Sequence, residues 1–91
     1  MIKFTFYSRL YCHLCDDMLQ ALESLRALAS FEVEVLDVDR DEALLAQYDE
    51  LVPVLVGCRD DSFAQQLCHY HLDVEKVSAF LVMQPDHVLP L

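Results

Sequence analysis

The residues of this chain most suited to chemistry are the cysteines of Cys12-His13-Leu14-Cys15. A cysteine at the start of a helix meets unpaired backbone N–H groups and the positive end of the helix dipole, which favour its thiolate and lower its pKa from about 8.5. The thiolate is the nucleophile of disulfide exchange. A second thiol one turn later can attack the mixed disulfide formed by the first, releasing the reduced substrate and closing a Cys12–Cys15 disulfide. The same spacing also suits zinc, and Cys68-x-x-His71 would complete a four-ligand set of Cys12, Cys15, Cys68 and His71. Spacing alone leaves both chemistries open, so the surrounding elements must decide.

Those elements follow from the hydrophobic pattern. Ile2–Tyr7 is aromatic and β-branched, a strand β1. From Cys12 to about Ala29, apolar Leu14, Met18, Leu22 and Leu25 recur at helical spacing between polar residues, giving an amphipathic helix α1 that opens at the first cysteine. Phe31–Val38 alternates apolar with acidic residues, an edge strand β2 with one solvated face. Asp39 and Glu42 resemble a capping box for a short helix α2 reaching about Tyr48. Val52–Val56 is apolar throughout, with Pro53 at its first residues and Gly57 at its end, so it reads as a strand β3 covered on both faces. A turn over residues 58–62 leads to a weak strand β4 over Phe63–Cys68, and Asp73 caps a last helix α3 over Val74–Val82. The tail from Pro85 to Leu91 is expected to be loosely held. The order is β-α-β-α-β-β-α. Its first βαβ unit demands a right-handed parallel crossover, and the β3–β4 turn an antiparallel hairpin.

Composition narrows the function classes. Ninety-one residues, 55% of them apolar, are expected to form a single α/β domain, since two halves would each bury too little. Every apolar run is too short for a membrane span, and the N-terminus lacks the pattern of a secretory signal, so a cytoplasmic protein is expected. A net charge of −10 repels nucleic acid and anionic lipid surfaces and excludes both as natural partners. Cysteines in the cytosol serve redox or metal chemistry more often than disulfide frameworks. Cys58 and Cys68 read as small apolar bystanders too far apart to bridge, and His69 and His71 as solvated loop residues.

The segments FTFYSRLYCHLC (residues 4–15), FEVEVLDVD (31–39) and LVPVLV (51–56) resemble the thioredoxin superfamily, and its small glutaredoxin-like branch fits best over almost the whole chain. The resemblance implies a thioredoxin-like fold with a four-stranded mixed sheet and helices on both faces. It implies dithiol–disulfide exchange on protein or small-molecule disulfides, with Cys12 as nucleophile, Cys15 resolving, and no cofactor. It makes Pro53 a cis-proline beside the disulfide, with the Val52 backbone pairing to an extended substrate, and puts Arg9 where a cation supports the thiolate and a glutathione carboxylate.

His13-Leu14 replaces the usual Pro-Tyr of glutaredoxins. A protonated His13 would favour the Cys12 thiolate, whereas Asp16 and Asp17 oppose it. Glu50 stands where glutaredoxins often carry a basic residue, and Asp60-Asp61 replaces a glycine-rich turn. Glutathione is therefore expected to be a poor reductant, with a thioredoxin reductase or another protein dithiol serving better. The competing class is a binding module, either zinc-stabilised or a thioredoxin-like domain that only docks partners.

Overall fold

The structure, a computed structural model, describes residues 2–59 and 63–82. Its elements are β1 (Ile2–Ser8), α1 (His13–Glu23), β2 (Phe31–Asp37), α2 (Glu42–Tyr48), β3 (Val54–Arg59), β4 (Gln65–His69) and α3 (Val74–Val82). Short 3-10 turns lie over Ser24–Ala27 and Val38–Arg40. The four strands form one sheet in the order β2-β1-β3-β4. β1 runs parallel to β2, from Ile2 opposite Phe31 to Ser8 opposite Asp37. It runs antiparallel to β3, from Ile2 opposite Arg59 to Tyr7 opposite Val54. This is the thioredoxin-like α/β fold, with the acidic, alternating β2 at the edge as its pattern required.

The period of two along the strands divides the core between the faces. Ile2, Phe4 and Phe6 of β1 and Leu55 of β3 pack with Cys15, Met18 and Leu22 of α1 and with Val77, Phe80 and Leu81 of α3. Val54 and Val56 of β3 turn the other way, onto Val38 and Tyr48, with Tyr7, Leu44 and Leu45 against them. α1 and α3 thus cover one face and α2 the other. Tyr7 stacks on Tyr48 with ring centroids 4.4 Å apart, which pins the end of α2 to the sheet.

Several boundaries differ from the sequence expectation. α1 gives way to a 3-10 turn at Ser24 instead of running on to Ala29. Arg26 holds that turn by bonding Glu23 and the Phe31 carbonyl. The cap of α2 is Asp41, whose carboxylate accepts from the N–H groups of Ala43 and Leu44, while Asp39 lies in the preceding 3-10 turn. β3 passes through Gly57 to Arg59, so Cys58 is a strand residue opposite Lys3. Gly57 is required for closeness, not for a turn: a Cβ there would lie 2.8 Å from the Phe80 ring and 2.9 Å from Leu67. β4 starts at Gln65 and leaves Phe63 exposed. Its register with β3 skips Leu67 between the Leu55–Cys68 and Val56–Gln66 pairs, a bulge that delivers Leu67 to the core. Residues 60–62 of the expected turn and the expected loose tail lie outside the described residues.

Candidate active site

The sheet register brings one end of three strands together. Tyr7 faces Val54 and Val54 faces His69, so the loop after β1, the residues before β3 and the residues after β4 share one edge of the sheet. On that edge Tyr11 adopts the left-handed region, φ 57°, and is fully exposed. The chain then enters α1 through Cys12, which is extended at φ −116° and ψ 104° and serves as the helix N-cap. Its Sγ accepts a hydrogen bond from the Cys15 N–H at 3.1 Å. Cys12 and Cys15 form a disulfide with Cα atoms 5.1 Å apart. Cys15 is buried among the core residues of α1, whereas Cys12 is half-buried at the mouth. A depression of about 260 Å³ opens beside it, lined by Tyr11, Cys12, His13 and Asp16.

Val52–Pro53 is a cis peptide, as the resemblance implied. Pro53 is buried, and its carbonyl accepts from the Tyr70 N–H at 2.9 Å. Tyr70 is also left-handed, φ 65°, and its hydroxyl donates to the Glu50 carbonyl at 2.6 Å. One residue therefore clasps both ends of the segment from Glu50 to Pro53. The Val52 N–H donates inward to the Tyr48 carbonyl at 3.1 Å.

Arg9 is committed to the protein itself. Its guanidinium makes a two-pronged contact with the Asp39 carboxylate, 2.8 and 3.2 Å, and a third bond to the Asp49 carboxylate at 2.8 Å. These hydrogen bonds raise the guanidinium pKa and hold the Asp39 carboxyl below its usual range. The clamp ties the loop after β1 to the end of α2, so the cation nearest Cys12 in sequence has its charge answered by two carboxylates.

A fold with this cysteine placement is matched by known proteins. The glutaredoxin-like domain family (DUF836) matches residues 3–82. The chain belongs to the glutaredoxin-like domain family. Among solved structures, the glutaredoxin-like chain is similar to protein Ne2328 from Nitrosomonas europaea, at 39% identity and a TM-score of 0.76 over 88% of this chain and 91% of that one. It is also similar to protein XcR50 from X. campestris, at 32% identity and a TM-score of 0.63 over 90% and 99% of the two chains. Fasciola hepatica thioredoxin shares the fold at 16% identity, with a TM-score of 0.64 over 88% and 80%. Comparison with curated proteins finds no match.

Of the remaining sequence candidates of this glutaredoxin-like domain, Cys58 lies on β3, Cys68 and His69 lie on β4, so that His69 is a strand residue, and His71 follows β4. Cys68 pairs opposite Leu55 within the hairpin, and burial pushes its thiol pKa up, which suppresses the thiolate. Cys58 lies opposite Lys3, well along β3 from Cys68, so the two do not meet. The zinc set of Cys12, Cys15, Cys68 and His71 is not assembled: among the described residues no three His, Cys, Asp or Glu side chains converge on a common point. Nor, among those residues, is any helix long and apolar enough to cross a membrane.

Three features of the site escaped the sequence reading. The Arg9 clamp joins residues 30 and 40 positions apart, and Tyr70 reaches back 20 positions to Glu50, so neither leaves a local pattern. Tyr11 did leave one, an aromatic residue directly before the first cysteine in a loop that gives it nothing to pack against.

Proposed function

We propose that this glutaredoxin-like protein is a dithiol–disulfide oxidoreductase acting on protein or small-thiol disulfides. The observation that carries the reading is Cys12 at the helix N-cap, with its sulfur accepting the Cys15 N–H and its partner cysteine one turn behind. In the reduced protein the same N–H and the helix dipole stabilise a Cys12 thiolate, because a hydrogen bond to an anion is stronger than one to a neutral thiol.

That thiolate attacks one sulfur of the substrate disulfide. A Cys12–substrate bond forms, the substrate S–S bond breaks, and the departing sulfur takes a proton. Cys15 then loses its proton and attacks Cys12 Sγ, closing the Cys12–Cys15 disulfide and expelling the second substrate thiol. Two electrons and two protons pass from the dithiol to the substrate. An external dithiol reductant of the thioredoxin reductase type, or another protein dithiol, restores the pair. Such cycling implies the cytosol as the working compartment, where thiol reductants are maintained.

In this reading Val52 and Pro53 form the ledge beside the sulfurs, and Val52 offers an extended substrate its carbonyl while its N–H stays bonded to Tyr48. His13 lines the mouth beside Cys12. Arg9 acts through position, holding the loop to α2 while Asp39 and Asp49 occupy its charge.

Substitution of each cysteine in turn tests the roles. Cys15→Ser should accumulate a mixed disulfide between Cys12 and substrate, seen by mass under non-reducing conditions, and Cys12→Ser should abolish exchange. Equal residual activity in the two variants would refute the assignment. A domain that docks partners without turnover would show no insulin or mixed-disulfide reduction with either a protein or a small-molecule reductant.

A further inference from the structure

The edge that carries the disulfide exposes apolar side chains without covering them. Leu10 is 72% exposed and Tyr11 fully so, with Leu14 in the first turn of α1 and Tyr70 beside Pro53 also open to solvent. Elsewhere the same sheet buries its aromatic residues well, as Phe4 and Phe6 at the heart of β1 illustrate. Tyr11, moreover, is held at φ 57°, a conformation disfavoured for a side-chain-bearing residue, while its ring touches little of the protein.

Beside Cys12 and along α2 the fixed charge is mainly acidic. Asp16 lines the depression at Cys12, and Asp17 follows it on the exposed surface of α1. On the Pro53 side a groove of about 510 Å³ runs along α2, walled by Glu42 and Glu50, with Leu45 and Leu51 beneath and with Asp49, already held by Arg9, at its margin. The cations nearest in sequence are Arg9, which is answered by Asp39 and Asp49, Arg40 in the 3-10 turn after β2 and, on the Tyr70 side, Lys76 of α3. A surface that is apolar at its centre and acidic at its rim complements a segment with the opposite rim. The long side chains of Lys and Arg fit such a groove, packing their stems on Leu45 and Leu51 and presenting their charge to the carboxylates.

We infer that the disulfide of this protein is docked by a cationic polypeptide: a substrate protein whose reacting cysteine lies in an extended segment flanked by Lys or Arg and by an apolar residue. The inference rests on the oxidoreductase reading above and adds the class of substrate. Apolar contact on Leu10, Tyr11 and Leu14 holds the segment over Cys12, and the carboxylate rim draws cationic partners in and turns anionic ones away. The chemistry is the exchange already described, with the protein's own dithiol as electron donor.

Two disulfide peptides of equal length and apolar content test this, one flanking its cysteine with Lys and the other with Glu. Each is reduced by the pre-reduced protein, and second-order rate constants are measured at low ionic strength and at about 0.5 M salt. The Lys peptide should react faster by roughly tenfold or more at low salt, with the gap closing as charges are screened. Glu50→Lys should shrink the Lys-to-Glu ratio by roughly fivefold or more. Glu32→Lys makes the same change of net charge at the far end of β2, opposite Lys3, and should leave the ratio in place.

Equal rates for the two peptides, or a faster Glu peptide, would overturn the inference and leave the oxidoreductase intact. An equal response to Glu32→Lys and Glu50→Lys would also overturn it, by assigning the preference to net charge instead of the docking surface. Reduction of neither peptide would overturn the oxidoreductase reading itself.

Discussion

Replacing Tyr11 by glycine separates what this residue does for folding from what it does for a partner. At φ 57° a side-chain-bearing residue costs about 1–2 kcal/mol relative to its preferred conformations, because its Cβ crowds the backbone. Glycine removes that cost but adds about 0.5–1 kcal/mol of chain entropy to be lost on folding. The exposed ring contributes little packing to offset either figure. Tyr11→Gly should therefore leave stability unchanged or raise it by up to about 1.5 kcal/mol, a melting temperature higher by up to about 6–12 °C for a domain of this size.

Activity should move the opposite way. Full burial of a large apolar side chain is worth about 1.5–3 kcal/mol, so half-burial of the Tyr11 ring against a docked protein contributes about 1 kcal/mol. Losing it should lower kcat/KM for a protein disulfide about five- to tenfold. A small disulfide such as hydroxyethyl disulfide cannot cover the ring and should be spared. Thermal melts of the oxidised protein and steady-state kinetics on both substrates give the two readouts. A variant destabilised by more than about 1 kcal/mol would refute the strain argument, and protein and small disulfides slowed alike would refute the docking role.

Gly57→Ala should destabilise the fold by about 1–2 kcal/mol in urea melts, because its Cβ would press on Phe80 and Leu67, both buried. Pairing it with Phe80→Leu should recover part of that loss, and a fully additive double variant would argue against the clash. Free glutathione should reduce the Cys12–Cys15 disulfide poorly compared with a thioredoxin reductase system, since Arg9 is already bound by Asp39 and Asp49 and Glu50 repels a carboxylate. Each charge-assisted bond withheld is worth about 1.5–3 kcal/mol, roughly ten- to a hundredfold in affinity. Glu50→Arg should improve glutathione use, and efficient turnover of glutathione by the unaltered protein would contradict the argument. Chelation with EDTA should leave circular dichroism and melting temperature unchanged, because the apolar core spans both faces of the sheet without a metal; a large drop in either would revive the zinc set.

The legible part of this protein lay in short-range patterns. Alternation marked β2 as an edge strand with a solvated face, the unbroken apolar run before Gly57 marked β3 as central, and helical spacing from Leu14 through Met18 to Leu22 marked α1. The cysteine pair was legible because its chemistry depends on a local relation, a sulfur at a helix start and another one turn on. Boundaries were less so. The end of α1, the cap of α2 and the span of β4 each turned on a tertiary competitor: the Arg26 bonds, the Asp41 cap and the bulge that sends Leu67 inward.

The sequence by itself determined the order of elements and the reactive pair, since backbone period and helix-end electrostatics act between neighbours. Only the tertiary structure decided what surrounds that pair. Arg9, free on paper to meet an anionic substrate, is taken by carboxylates 30 and 40 residues away; Gly57, which reads as a strand end, is where the Phe80 ring comes to rest; and Tyr70 clasps the Pro53 segment from the far side of a hairpin. Contacts of that kind join segments whose separation along the chain carries no period, so packing the sheet is what brings them together.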